Sequence, residues 1–159
     1  MTTPLLPNFI NGKFVDVGKD IPHINVDSPS DGKVIAKVPM STATSVDEAV
    51  IAGQKAFVEW KALTIKQRAA IMFKFHHLMD VHAQELAELI VKENGKNIVE
   101  ALADVAKGNE TVEWATSLPQ MAVGRVLEVS RGITCEEIRS PLGVVAAIVP
   151  FNFPGKSCK

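Results

Sequence analysis

Val144-Val-Ala-Ala-Ile-Val-Pro-Phe-Asn-Phe-Pro154 is the stretch whose reading decides the fold. From Val144 to Val149 every residue is apolar, with no polar position in alternation. Such a run predicts a strand buried on both faces, as in a parallel sheet covered by helices. It stops at Pro150, and a second proline follows at 154. Prolines restrict the backbone at and before their own positions. Between them a lone amide, Asn152, stands between Phe151 and Phe153. Open α/β sheets place ligands at the carboxyl ends of their strands. An uncharged donor fixed there suits an oxyanion that forms only during a reaction. The other reading is a turn in which Asn152 caps local backbone.

Toward the N-terminus the pattern is helical. Ser45-Val-Asp-Glu48 has the form of a capping box, in which side chains satisfy amides left open at a helix start. Val46, Ala49, Val50, Gly53, Ala56, Phe57 and Trp60 follow at helical spacing. Gly53 on that stripe allows a neighbour to come close. Thr64-Ile-Lys-Gln67 is a second capping box, opening one helix with Met72, Phe75, Met79, Leu86 and Ile90 on its apolar face. Gly95 is a natural stop. A third helix carries Ile98, Leu102, Val105 and Val112 on one side and ends before Pro119.

The flanks read as strands and turns. Asn11-Gly12 between Phe9-Ile10 and Phe14-Val15 is a two-residue hairpin signal. Ser28-Pro-Ser-Asp-Gly32 is a turn cluster, followed by alternating Val34, Ala36 and Val38 up to Pro39. Val126 and Val129, then Thr134 to Arg139, predict two further strands. A parallel sheet needs more strands joined by crossovers. The chain ends where those are expected to begin, so the architecture reads as unfinished.

Composition narrows the classes of function. The chain has 159 residues and a formal net charge of −1, a poor match to non-specific binding of nucleic acid or anionic membrane. With 47% hydrophobic and 22% charged residues, general disorder, collagen and a coiled-coil rod are excluded. A compact domain of this size buries roughly 68–70% of its unfolded surface. No apolar run reaches the length of a membrane span, and no presequence is visible. Cys135 and Cys158 are too few for a disulfide framework and have no CxxC spacing. A reducing compartment is therefore expected, the cytoplasm, with a mitochondrial location as the alternative.

Other constellations have plain explanations. His76, His77 and His82 lack the spacing of a helical metal site, and no metal is expected. His76 and Asp80 are placed to pair on a helix surface. Glu93-Asn-Gly-Lys96 reads as a charged helix terminus with a glycine stop. Cys158 lies beside Lys156 and Lys159, which lower a thiol pKa, but a frayed tail supplies no fixed base. No G-x-G-x-x-G fingerprint is present.

Arg139-Ser-Pro-Leu-Gly-Val-Val-Ala-Ala-Ile-Val-Pro-Phe-Asn-Phe-Pro154 resembles the aldehyde dehydrogenase superfamily. Phe9-Ile-Asn-Gly-Lys-Phe-Val15, the Ser28–Gly32 turn and Glu93-Asn-Gly-Lys96, similar to the family's E-x-G-K segment, occur in family order. Phe151-Asn-Phe153, Glu93-Asn-Gly-Lys-Asn97 and Gly108-Asn-Glu-Thr-Val-Glu-Trp-Ala115 most resemble the CoA-acylating, methylmalonate-semialdehyde branch. The resemblance implies an α/β fold: the N-terminal part of a Rossmann-like NAD domain, incomplete, with strands of an oligomerisation arm. Residues 1–124 match the hairpins and helices of that domain. Residues 125–143 match the bridging strands, 144–154 the first nucleotide-sheet strand and active-site loop, and 155–159 an atypical tail. The family binds NAD without the glycine fingerprint.

The resemblance also implies a reaction. A cysteine thiolate attacks the aldehyde, hydride leaves to NAD, and CoA, as co-substrate, takes the acyl group from the resulting thioester. Asn152 matches the asparagine that stabilises the oxyanion. Val149 and Phe151 match cofactor-binding positions on the nicotinamide side, acting through backbone atoms. Phe153 matches the substrate tunnel wall, with core packing as the other reading. Neither Cys135 nor Cys158 matches the nucleophile's motif, so these residues alone are expected to be inactive. The implied partners are a small aldehyde and further copies of the subunit, with no nucleic acid or membrane. The alternatives are part of a non-acylating NAD(P) enzyme, or a non-catalytic interaction fragment.

Overall fold

The computed structural model describes residues 3–16, 18 and 20–157. Three antiparallel hairpins flank a helical layer. In the first, β1 (Asn8–Ile10) pairs with β2 (Lys13–Val15). Asn11 and Gly12 both take positive φ, 53° and 72°, the geometry an Asn-Gly turn tolerates. Next, β3 (His23–Asp27) pairs with β4 (Val34–Pro39) across the Ser28–Gly32 turn. The third hairpin is β5 (Arg125–Ser130) with β6 (Ile133–Glu137).

The helices are α1 (Ala43–Ala62), α2 (Ile65–Val81), α3 (Ala83–Asn94), α4 (Ile98–Thr116), the short α5 (Leu118–Met121) and α6 (Pro154–Ser157). Among the described residues none is long and apolar enough to cross a membrane. The Thr64 capping box forms as expected, with Gln67 N–H donating to the Thr64 hydroxyl at 3.2 Å and Thr64 N–H to the Gln67 side chain at 2.8 Å. The box expected at Ser45 does not cap α1. Thr42 is the cap and accepts from Ser45 N–H at 3.3 Å, so Ser45–Glu48 lies within the first turns.

The single helix expected from Thr64 to Gly95 is interrupted at His82 (φ −100°, ψ 12°), whose N–H bonds to the carbonyls of Leu78 and Asp80. Apolar spacing runs through the break (Met79, Ala83, Leu86, Ile90), so periodicity could not reveal it. The core lies where α3 meets α4: Ala87, Ile90, Ala101 and Val105, backed by Met79, Ala83, Leu86, Val91 and Leu102. On the expected face of α4, Val105 and Val112 are buried and Leu102 packs against the core, but the buried face is wider and more polar than expected. It carries Ala101, Asp104, Val105, Gly108, Asn109, Val112 and Thr116, while Ile98 is exposed.

Burial falls short of a compact domain. Accessible surface is 12233 Å², against about 7,800 Å² for a compact chain of this mass. Val144–Val149, expected as a doubly buried strand, forms no ladder, and Val145 and Ile148 are exposed. A strand exists only against a partner, and no described segment pairs with this one. Its first residue does have a seat: a Cβ on Gly53 would lie 3.2 Å from Val144 Cγ2, so the glycine admits Val144 against α1.

Candidate active site

The loop after Val149 is held from beneath by the end of α3 and the second turn of α4. Helix α3 stops at Gly95, which takes a left-handed φ of 82° while its N–H bonds to the Val91 carbonyl. A Cβ there would fall 2.8 Å from Pro29 Cγ, so the β3–β4 turn packs into the space a side chain would need. Glycine is thus required both for backbone angle and for close approach.

Around this stop, Asn94 and Lys96 reach the loop. Asn94 Nδ2 donates to the Phe151 carbonyl at 3.1 Å. Lys96 Nζ donates to the Asn152 carbonyl at 2.8 Å and lies 4.6 Å from the centre of the Phe153 ring. The same ammonium is 3.4 Å from Asp104 Oδ2, whose side chain is 2% exposed. Gly155 N–H donates to that oxygen at 3.3 Å. Gly155 lies so close to α4 that a Cβ would be 3.1 Å from the Asp104 carbonyl carbon and oxygen and from Val105 Cα.

The loop is therefore tethered by main-chain groups on both sides of Asn152, two carbonyls and one amide. The Asn152 side-chain amide itself bonds to no other described residue, and the side chain is exposed. It does not cap local backbone, so the bland reading of the turn is not realised. Beside the loop lies an apolar cleft of about 260 Å³ between Phe75, Met79, Leu89, Ile90, Val105 and Pro154. A tethered backbone that presents a free amide can donate to a ligand oxygen without moving its main chain, which limits the reorganisation that oxyanion stabilisation must avoid.

The aldehyde dehydrogenase family model matches residues 15–158. The chain belongs to the aldehyde dehydrogenase family. It is 46% identical over 153 residues to malonate-semialdehyde dehydrogenase 1 of Geobacillus kaustophilus, covering 96% of this chain and 31% of that protein. It is 43% identical over 150 residues to the malonate-semialdehyde dehydrogenase of Lacticaseibacillus casei, covering 94% and 30%. The crystal structure of a Sinorhizobium meliloti protein assigned as a methylmalonate-semialdehyde dehydrogenase, complexed with NAD, superposes with a TM-score of 0.92 at 33% identity, covering 98% of this chain and 32% of that one. The chain thus spans about a third of the length of the relatives it matches.

Among aldehyde dehydrogenase positions expected from sequence, the structure brings Phe151, Asn152 and Phe153 together on the tethered loop. Val149 precedes it and is exposed. Cys135 lies exposed on β6, and Cys158 falls outside the described residues. The histidines pair on the helix surface, His76 Nδ1 with Asp80 at 3.7 Å and His82 Nδ1 with Glu85 at 3.0 Å.

Sequence reasoning missed Asn94, Lys96 and Asp104. The Glu93–Lys96 segment is more than a charged helix end, because two of its side chains hold the loop. The available signal was Asp104 itself: an acid between Ala101 and Val105 on α4 demands a buried cation or amide. Away from the site, Lys33 Nζ donates to Asp31 at 2.6 Å and holds that carboxyl at about 2. The same contact raises the Lys33 pKa.

Proposed function

We propose that this chain forms the first part of a CoA-acylating, NAD-dependent semialdehyde dehydrogenase subunit that acts on malonate or methylmalonate semialdehyde. The observation that carries the reading is the free Asn152 amide on a loop tethered on both sides of that residue. Asn152 Nδ2 donates to the oxygen of the aldehyde as negative charge builds on it. The barrier falls because the backbone that carries the donor is fixed before the charge appears, leaving only the side chain to orient. The substrate class is supported by the names of three bacterial relatives at 42–46% identity, each a malonate-semialdehyde dehydrogenase.

The chain's own residues fit a nicotinamide cofactor. Phe151 is exposed on the tethered loop beside Asn152, and an apolar ring with main-chain groups next to it suits the flat face and amide of a nicotinamide. Val149 and Phe151 would hold it through main-chain atoms. The Phe151 carbonyl already accepts from Asn94, so its remaining capacity is one lone pair and the N–H. When bound, NAD supplies the hydride acceptor, and CoA is the acyl acceptor. The exposed β5–β6 hairpin supports a homo-oligomeric assembly.

The test uses a subunit in which residues 1–155 are joined to the remainder of the Geobacillus kaustophilus enzyme. It should form NADH from malonate semialdehyde in a CoA-dependent manner. NADH formation indifferent to CoA would contradict the acylating reading.

A further inference from the structure

We infer that Lys96 and Asp104 are a positioning pair for the catalytic asparagine, fixing the backbone of the 151–155 loop so that only the Asn152 side chain remains to be oriented. The inference rests on the reading of Asn152 as oxyanion donor and adds to it the device that holds the donor in place.

Asp104 stands on the face of α4 that also presents Ala101 and Val105 to the core. An apolar residue of similar volume would pack there without desolvating a charge, and buried ion pairs seldom gain stability over such a replacement. What the carboxylate does provide is a shared acceptor: Oδ2 faces the Lys96 ammonium at 3.4 Å and the Gly155 amide at 3.3 Å. Lys96 in turn spans from Asp104 to the Asn152 carbonyl at 2.8 Å, with its ammonium over the Phe153 ring.

One carboxylate and one ammonium therefore fix the chain directly after Asn152 and three residues later. Asn94 adds a neutral tether on the preceding carbonyl. The remaining freedom of the donor is its own χ1 and χ2. An oxyanion donor must be held to within about 0.5 Å of its productive position, and the nearly buried Asp104 carboxylate anchors the loop from the core side. Both glycines at the site serve the same end. Gly95 turns the chain so that Lys96 points inward, and Gly155 brings its amide onto α4.

The test is residue-resolved amide hydrogen exchange on a subunit that joins residues 1–155 to the remainder of the Geobacillus kaustophilus enzyme, with the Gly155 amide as reporter and α4 amides 105–112 as the folding control. Asp104→Leu should leave α4 exchange within about twofold of wild type while Gly155 exchanges at least about tenfold faster. A merely structural role predicts the opposite, because leucine fills the site and Gly155 stays protected. Lys96→Met should also release Gly155, and Lys96→Arg should restore it. The proposal is overturned if Gly155 exchange in Asp104→Leu and Lys96→Met stays within about twofold of wild type. It is also overturned if arginine restores nothing. No aldehyde or cofactor enters the measurement, so its failure leaves the Asn152 assignment standing. Normal turnover of an Asn152 variant would remove that assignment without touching the exchange result.

Discussion

The Lys96 ammonium donates to the main-chain carbonyl of Asn152 at 2.8 Å, while the Asn152 side-chain amide bonds to no described residue. Backbone and side chain of one residue are thus treated oppositely: the first is fixed and the second is left for a ligand. The fixing groups come from the end of α3 and the second turn of α4, over 50 positions earlier in the chain.

Gly95→Ala should loosen this arrangement from below. The left-handed φ costs an L-residue about 1–2 kcal/mol, and the new methyl would meet Pro29 at 2.8 Å. Hydrogen exchange of the last-turn amides of α3 should speed up correspondingly, with those of α1 unchanged. Equal protection in Gly95→Ala and wild type would contradict the close-approach argument.

The Asp31–Lys33 contact gives a pH prediction with a definite sign. The carboxyl titrates at about 2 in the fold, below the ordinary value of about 3.9. Its contribution is therefore fully present above the ordinary range and is lost as pH falls through about 2. Both groups are exposed, so salt and solvent screen the pair and stability should not change measurably. Carboxyl titration by NMR should move Asp31 upward in Lys33→Ala, and an unmoved titration would show that the contact does not form.

Much of this was legible from residue patterns, and the failures have physical causes. Asn11-Gly12, the Thr64 box and the Gly95 stop are local signals, because each satisfies or releases backbone groups within a few residues. The α1 cap was misplaced because Thr42 and Ser45 can both cap a helix, and only the chain's exit from β4 selects between them. Val144–Val149 carries the apolar run of a buried strand, yet pairing depends on a neighbour and not on the run itself. Loop tethering was invisible because it joins Lys96 to Asn152 and Asp104 to Gly155, contacts with no periodic signature.

The uncovered apolar faces predict association. Val126, Leu127, Val129 and Ile133 on the last hairpin, and Val145 and Ile148 after it, are all exposed. Unpaired edges and apolar patches of this kind drive self-association. Size-exclusion chromatography of the 159-residue chain should give soluble aggregates or poor recovery. A sharp monomer peak with cooperative thermal unfolding would contradict the exposure seen here.

The 159-residue chain by itself should form no NADH from aldehyde, with or without CoA. Acyl transfer through a thioester needs a thiolate oriented at the carbonyl opposite the oxyanion donor. Orientation of that kind is worth roughly 7–11 kcal/mol of barrier. Cys135, the free cysteine among the described residues, sits exposed on a hairpin strand. NADH production abolished by Cys158→Ser would overturn this expectation and make Cys158 the nucleophile.

The most direct test of the central claim is the turnover of Asn152→Ala in the subunit that joins residues 1–155 to the Geobacillus kaustophilus remainder. Loss of one oxyanion donor typically lowers kcat by about 10²–10³. That loss is predicted here, with NAD affinity little changed, because the tethers on the loop backbone do not involve the Asn152 side chain. A kcat within about twofold of wild type would contradict the assignment of Asn152 as the group that meets the developing charge.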